Sequence, residues 1–222
     1  LYSSAASDVY KRQVLGYTVI DRKEVVVMCG RYYVDDDTAK EIEKFVRDLD
    51  KKLVAAGKKD VYPSSMTAVL KPEYTQVGLG QMRWGFPGFV GKELLINARA
   101  ESVLEKRTFK ESVLHRRCVI PAKGFYEWNP KKEKYQFERL DQEPVLFMAG
   151  CFQTFREEDR FVILTTQAND SVSPVHHRMP LVLEKDEIEN WILDDQSVEF
   201  ILHKTPPELM RRTDYEQMKL FS

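Results

Sequence analysis

Residues 118–139, CVIPAKGFYEWNPKKEKYQFER, contain three apolar and aromatic runs separated by turn residues. The runs at 118–121, 124–128 and 134–139 are typical of β-strands, and Asn129-Pro130 marks a turn between the second and the third. Strands joined by so short a connection pair antiparallel. This stretch therefore predicts part of an antiparallel sheet.

Further runs of the same kind extend the sheet along the chain. Strands are expected over 29–34, 66–70, 77–84, 145–152, 161–166 and 181–183. Helices are expected from a cap at Thr38, with apolar positions at Ile42, Phe45, Val46, Leu49 and Leu53 and an end at Gly57, and at about 100–114, 185–193 and 196–203. The predicted class is α+β: a single domain with a mainly antiparallel, curved β-sheet core flanked by helices.

Composition limits the kinds of function that the protein can have. The 222 residues include 34 basic and 35 acidic side chains, so the net charge of -1 gives no overall attraction for nucleic acid, and such a site needs a local basic patch. Three cysteines, Cys29, Cys118 and Cys151, lack paired metal-ligand spacing, which argues against a disulfide framework and a zinc site. A reducing, cytoplasmic setting fits, and nothing indicates a metal or an organic cofactor.

Two features of the termini and the hydropathy shape the domain prediction. No apolar stretch approaches the roughly 18 residues of a membrane-spanning helix, so a soluble protein is expected. Residues 1–27 show no sustained helical or strand period, and we interpret them as an upstream extension of a domain over 28–222. If translation begins at Met28, its removal leaves Cys29 with a free α-amine beside its thiol.

Four sequence islands concentrate reactive and charged groups. They are MCGRY at 28–32, INARAES at 96–102, GFYEW at 124–128 and HHRMP at 176–180. With RWG at 83–85 and KRTFK at 106–110, they occur in an order and spacing that resembles the SOS-response-associated peptidase family, whose members are abasic-site processing proteins. The resemblance runs from Met28 to about Met218 and implies that family's fold and a single-stranded DNA partner containing abasic sites.

One stretch departs from the family pattern. Many members carry an asparagine a few residues before a proline on the early strand that approaches the site, whereas this chain reads DVYPSS at 60–65. We therefore expect no ligand role for this loop. Pro63 is interpreted as a residue kept for shape.

Cys29 has the chemistry for covalent capture of an aldehyde. An α-amine with a pKa near 7.7–8.0 is roughly one-tenth neutral at pH 7, far more than a lysine. It can condense with a ring-opened abasic sugar to an imine, and the adjacent thiol can then close a five-membered thiazolidine ring. The alternative is a small buried residue, the common state of a free cysteine.

Glu127, His176 and Asn97 are the other candidate catalytic residues. Strand alternation places Phe125 and Glu127 on one face, where desolvation favours a protonated carboxyl that can shuttle protons. By resemblance, His176, rather than its neighbour His177, opens the sugar ring, and Asn97 orients the sugar or the amine. The alternatives are an arginine-paired carboxylate, a solvated histidine and a turn-capping amide.

Arginines and tryptophans are the candidate DNA-binding residues. Arg31 and Arg99 match phosphate oxygens with their guanidinium forks, and Trp84 and Trp128 can stack on exposed bases. A basic cluster at Lys106, Arg107, Lys110, Arg116 and Arg117 can add local attraction. Surface ion pairs, core packing and a solvated helix face are the respective alternatives.

The sequence thus predicts covalent capture of abasic sites in single-stranded DNA through Cys29, which protects the lesion during the DNA damage response. Two other functions stay open. One is a cysteine peptidase that cleaves itself before Cys29, and the other is a noncovalent single-strand binder in which Cys29 is incidental. A monomer without an obligate protein partner is expected, because a reagent consumed at one lesion needs no second subunit.

Overall fold

Two β-sheets form the framework in the computed structural model, which describes residues 17–20, 30–45, 59–89, 93–141 and 143–213. The strands are β1 Tyr17–Ile20, β2 Tyr32–Val34, β3 Lys59–Val61, β4 Met66–Glu73, β5 Gln76–Trp84, β6 Phe86–Pro87, β7 Leu94–Arg99, β8 Arg117–Ala122, β9 Gly124–Trp128, β10 Lys134–Arg139, β11 Leu146–Phe155, β12 Glu158–Gln167, β13 Arg178–Pro180, β14 Val182–Leu183 and β15 Leu209–Arg212. The α-helices are α1 Asp36–Phe45, α2 Lys110–His115, α3 Glu187–Leu193 and α4 Val198–Leu202.

The larger sheet has ten strands, and part of it closes on itself like a barrel. Its main order is β1-β7-β12-β5-β4-β8-β11-β14, and β11 also pairs with β12, so β12, β5, β4, β8 and β11 form a closed ring. Only the β12–β5 and β12–β7 pairings are parallel within the described strands. The predicted α+β class with a mainly antiparallel, curved sheet is confirmed.

Alternating side chains of the larger sheet enter two separate cores. Val119, Ala149 and Val162 pack in one core, while Ile120, Met148 and Ile163 pack in the other. Residues of α3 and α4 contribute to the first core, and the smaller sheet, in the order β15-β10-β9-β2-β3, contributes to the second. Because both faces are covered, all six residues of β8 are buried.

The helix predictions need two corrections. Asp35 rather than Thr38 caps α1: the Thr38 N–H donates to Asp35 Oδ1 at 3.0 Å, and the Asp35 N–H donates to Thr38 Oγ1 at 3.2 Å. The part of that predicted helix beyond Phe45 lies outside the described residues. A continuous helix over 100–114 is wrong, because only a 3₁₀ turn, Ala100–Ser102, and α2 form, on either side of turns that bury Val103.

Several short strands were not predicted. They are β1, β3, β6, β7, β13 and β15. Residues 1–27 show no sustained strand period, yet β1 forms there and pairs antiparallel with β7 through Thr18 and Asn97. Whether residues 1–27 belong to the native protein stays a prediction.

Candidate nucleic-acid groove

A groove of about 1070 Å³ opens between the smaller sheet and the loop that precedes β13. It is lined by Gly30, Arg31, Tyr62, Trp128, Asn129, Pro130, Lys132, Ser173, Pro174, Val175, His176 and His177. The lining contains two fixed cations, Arg31 and Lys132, two histidines and no carboxylate. This is the local positive site that a chain of net charge -1 requires for binding an anion.

One wall of the groove is the turn that joins β9 to β10. The Asn129 side chain organises it: Oδ1 accepts hydrogen bonds from the backbone N–H groups of Lys131 at 3.0 Å and Glu133 at 2.9 Å, and Nδ2 donates to Glu133 Oε2 at 2.5 Å. Lys132 adopts a positive φ of 63° at the tip. The Asn129 bonds therefore fix the loop that presents Lys132 to the groove.

The opposite wall is the loop from Asn169 to His177. Asn169 Nδ2 donates to the carbonyl oxygens of Pro206 and Pro207, both at 3.0 Å, and Asn169 Oδ1 accepts from the Ser171 backbone at 3.1 Å. Further along the loop, the His176 backbone N–H donates a hydrogen bond to the Val172 carbonyl at 3.1 Å. This side-chain anchor gives the groove a preformed wall.

His176 is half-buried on this wall, and the backbone of Arg178, the first residue of β13, holds its ring. Its Nδ1 lies 3.1 Å from both the backbone nitrogen and the carbonyl oxygen of Arg178. Burial lowers the pKa of His176 below its usual 6.5; the bond to the Arg178 backbone opposes this, and His177, whose ring centre lies 4.4 Å away, lowers the pKa further. The imidazole is therefore neutral at pH 7 and available for proton transfer.

An ion pair that sequence reasoning did not identify ties two of the islands together. Arg178 donates to both carboxylate oxygens of Glu101, at 2.6 and 2.8 Å, and to the Thr165 carbonyl at 2.6 Å. Burial alone would raise the pKa of Glu101, but the bonds from Arg178 outweigh it and hold that pKa below its usual range. Because Arg178 also hydrogen-bonds the His176 ring through its backbone, the pair fixes the start of β13, against which the imidazole is held.

Arg31 lies among three aromatic rings. The centre of its guanidinium is 4.5 Å from the ring centre of Tyr62, 5.6 Å from that of Trp128 and 5.8 Å from that of Tyr126. Its carbonyl accepts a hydrogen bond from the Tyr126 N–H at 3.0 Å, which continues the pairing of β2 with β9. The cation thus lies against these rings at the edge of the groove.

The loop over 60–65 contributes to the groove, and whether it has a ligand role stays a prediction. Tyr62 lines the groove. Asp60 Oδ2 lies 3.5 Å from Arg31 Nη1 and accepts a bond from the Tyr62 hydroxyl at 3.3 Å, while Asp60 Oδ1 accepts from the Tyr126 hydroxyl at 3.3 Å. The sequence could have indicated this arrangement, because residues two apart near the end of a strand, such as Asp60 and Tyr62, have side chains on the same face.

The groove contains some of the predicted site residues and not others. Arg31, Trp128 and His176 line it, together with His177. Cys29 lies outside the described residues, but Gly30, which follows it, lines the groove. Asn97 and Glu127 are buried and are not lining residues, and Arg99 is exposed outside the lining. Their catalytic and phosphate-binding roles stay predictions.

The predicted two-faced pattern of β9 is confirmed. Phe125 packs in the core with its ring centre 5.1 Å from that of Phe137, and Glu127 is fully buried. The rings of Tyr126 and Trp128 both lie near the Arg31 guanidinium. The face of β9 that carries these two rings is thus the one that meets Arg31.

Trp84 is a core residue, which corrects its assignment to DNA binding. Its side chain is 0% exposed, its indole N–H donates to the Ile96 carbonyl at 2.9 Å, and its ring stacks on Phe161 at 6.3 Å. A base cannot reach this ring in the folded protein.

Arg117 likewise does not belong to a solvated basic cluster. It is 3% exposed and donates to backbone carbonyls, including those of Trp191 at 2.5 Å and Val113 at 3.1 Å, and to Asp195 at 2.7 Å. Arg107 and Lys110 are exposed and keep the cluster's remaining surface charge. The cluster is smaller than the sequence predicts.

The described residues include neither a membrane-spanning helix nor a group of side chains able to hold a metal ion. No helix among them has both the length and the apolar character needed to cross a membrane. No group of three or more histidine, cysteine or acidic side chains in that part of the chain could hold a metal ion.

The fold and the groove define a sheet-rich, single-domain protein with a cationic, aromatic cleft. The sequence profile of the SOS response associated peptidase (SRAP) family matches residues 28–220. The chain therefore belongs to the SOS response associated peptidase family, as the ordered motifs predicted.

Individual relatives agree with the family assignment. The abasic site processing protein YedK of Escherichia coli is 31% identical over 182 residues, which cover 77% of this chain and 82% of that protein. The abasic site processing protein YoaM of Bacillus subtilis is 28% identical over 181 residues, covering 74% and 79%. A solved phage-related protein of Bordetella bronchiseptica has the same fold, with a TM-score of 0.69 at 22% identity over 83% of this chain and 93% of that one.

Proposed function

We propose that this protein captures abasic sites in single-stranded DNA by a covalent bond through Cys29, in the form of the chain that begins at Cys29. The observation that carries the proposal is the position of Gly30, the next residue, in the lining of a groove that also presents Arg31, Trp128 and His176. The abasic site processing names of the relatives support the choice of substrate.

The groove matches the chemistry of a single strand. Guanidinium and ammonium groups of Arg31 and Lys132 attract phosphates, and the half-buried ring of Trp128 offers a face for an unpaired base. The bases of a duplex are already paired and stacked, so they offer no free face to this ring. The groove therefore favours single-stranded over double-stranded DNA.

The covalent step balances without an external reagent. The neutral α-amine of Cys29 adds to the aldehyde carbon of the ring-opened sugar, the carbinolamine loses water to give an imine, and the thiolate adds to the imine carbon to close a thiazolidine. Both protons of the neutral amine leave in that water, and the thiol proton moves to the ring nitrogen. Neutral His176 suits sugar-ring opening, Glu127 suits delivery of the proton to the departing hydroxyl, and Asn97 suits orientation of the sugar.

A denaturing gel tests the proposal with protein started at Met28 and an oligonucleotide carrying one abasic site. A band that resists heat and detergent is expected for the wild type and not for Cys29→Ala. Cys29→Ser keeps the amine, so it is expected to give a band only after borohydride reduction of the imine. Cys151→Ala is the matched control, because Cys151 is fully buried and burial raises its pKa; its crosslink is expected to equal that of the wild type.

The self-processing alternative is separated by the full 222-residue chain. Here Cys29 has no free amine, so the purified chain is expected to remain full length and to form no crosslink. A chain that shortens to begin at Cys29, with Cys29→Ala remaining long, would support the peptidase function instead. A Cys29→Ser protein that crosslinks like the wild type without reduction would refute the thiazolidine.

A further inference from the structure

Arg31, which lines the groove, forms an ion pair with the carboxylate of Asp60. Asp60 lies in β3, the edge strand of the smaller sheet, and its Oδ2 approaches Arg31 Nη1 at 3.5 Å. The side chains are 30% and 29% exposed, respectively. The pair is therefore loose and accessible to ions from solvent.

A phosphate oxygen that bound Arg31 Nη1 would need the donor that Asp60 Oδ2 approaches. A guanidinium offers its N–H donors in one planar fork, and a carboxylate on that fork excludes a phosphate from the same donor. The three rings around Arg31 hold its face, which leaves the donor edge as the part that exchanges partners. Asp60 and DNA thus compete for one edge.

Two tyrosines keep Asp60 satisfied when Arg31 changes partner. The Tyr62 hydroxyl donates to Asp60 Oδ2, and the Tyr126 hydroxyl donates to Asp60 Oδ1, both at 3.3 Å. Burial and then the Asp60 charge raise the pKa of Tyr126 to about 12, so this hydroxyl stays protonated and able to donate. The exchange leaves no carboxylate oxygen without a donor.

We propose that Asp60 is an internal competitor of DNA phosphate for Arg31, which weakens the groove's grip on undamaged single strands. The inference rests on the proposed function, since it takes the groove to bind single-stranded DNA. The ligand class is the phosphodiester of the strand. Reversible binding to undamaged DNA is thereby held low, while a strand with an aldehyde is retained by the covalent bond.

Asp60→Asn tests this in the full 222-residue chain, by fluorescence anisotropy with an unmodified single-stranded oligonucleotide at low salt. The amide oxygen still accepts from a tyrosine, but the charge is gone. Affinity is expected to rise about two- to fivefold, the scale of a part-exposed ion pair. Asp37→Asn makes the same change of net charge on α1, where Asp37 pairs with Lys40 and Lys123, and is expected to leave the affinity unchanged.

A double-mutant cycle with Arg31→Ala tests whether Asp60 affects DNA affinity through Arg31. Without Arg31, the gain from Asp60→Asn is expected to shrink to near zero, because no guanidinium remains to be released. An equal gain in both backgrounds, an equal gain from Asp37→Asn, or unchanged or weaker binding by Asp60→Asn would overturn the inference. A wild-type chain that does not bind the oligonucleotide would also overturn the inference, because no reversible complex would exist for Asp60 to weaken. The proposed function fails separately, if the Met28-start protein forms no crosslink with an abasic site. Thermal melting establishes that each variant is folded.

Discussion

Trp84 and Trp128 are expected to respond in opposite ways to the same substitution. Trp84 is fully buried with a hydrogen bond to Ile96, whereas Trp128 lines the groove and is only half-buried. Leucine at each position keeps an apolar side chain and removes the aromatic ring. The pair therefore separates a folding role from a binding role within one residue type.

The structure sets the size of each effect. Trp84→Leu loses core contacts with Phe161 and leaves the buried Ile96 carbonyl without its donor, so the free energy of unfolding is expected to fall by about 3–5 kcal/mol. Trp128→Leu removes a stacking surface worth about 1–3 kcal/mol per base, which weakens single-strand binding by about 5- to 150-fold. Its unfolding free energy is expected to change by less than about 1 kcal/mol.

Urea unfolding and anisotropy with an unmodified single strand measure the two quantities. Binding is compared under conditions where circular dichroism shows both variants folded, and Trp84→Phe, a milder change, serves if Trp84→Leu does not fold. The reasoning is refuted if a folded Trp84 variant loses as much DNA affinity as Trp128→Leu. It is also refuted if Trp128→Leu binds like the wild type.

Three further outcomes are expected. Arg117→Ala is expected to lower the free energy of unfolding by about 3 kcal/mol in urea, since buried carbonyls lose their donor, while Arg107→Ala, at an exposed site, leaves stability unchanged. Glu101→Gln is expected to lower the free energy of unfolding by about 1–2 kcal/mol at pH 7, less than the loss of a fully buried ion pair, because Glu101 is half-exposed. The same variant is expected to slow crosslinking, and a wild-type crosslinking rate would exclude a role of the Glu101–Arg178 pair in positioning His176. Because the pKa of His176 is lowered in the folded state, the contribution of its neutral ring to the free energy of unfolding is fully present above pH 6.5 and is lost as the pH falls through the folded-state pKa. His176→Gln lacks this titration, so its free energy of unfolding in urea is expected to fall less over the same pH range.

The longer strands of the fold could be predicted because their patterns are local. The runs at 124–128 and 134–139 match β9 and β10 residue for residue, since period-two alternation and the turn at 129–130 define both ends. The short strands β3 and β13 could not be predicted in the same way. Three residues give no measurable period, and each forms because a neighbouring strand offers free backbone groups.

The prediction of site residues was wrong where the role of a side chain depends on which other elements pack against it. Trp84 and Trp128 both end apolar strands and have the same sequence signal. Residues of both sheets bury Trp84, whereas beyond Trp128 the chain turns at Asn129 and leaves one face to the groove. Asp60 shows the converse: in sequence it is a departure from the family pattern, and only the register of β2 against β3 brings it beside Arg31. Alternation identifies the faces of a strand, but the element packed on each face decides which of them can bind a ligand.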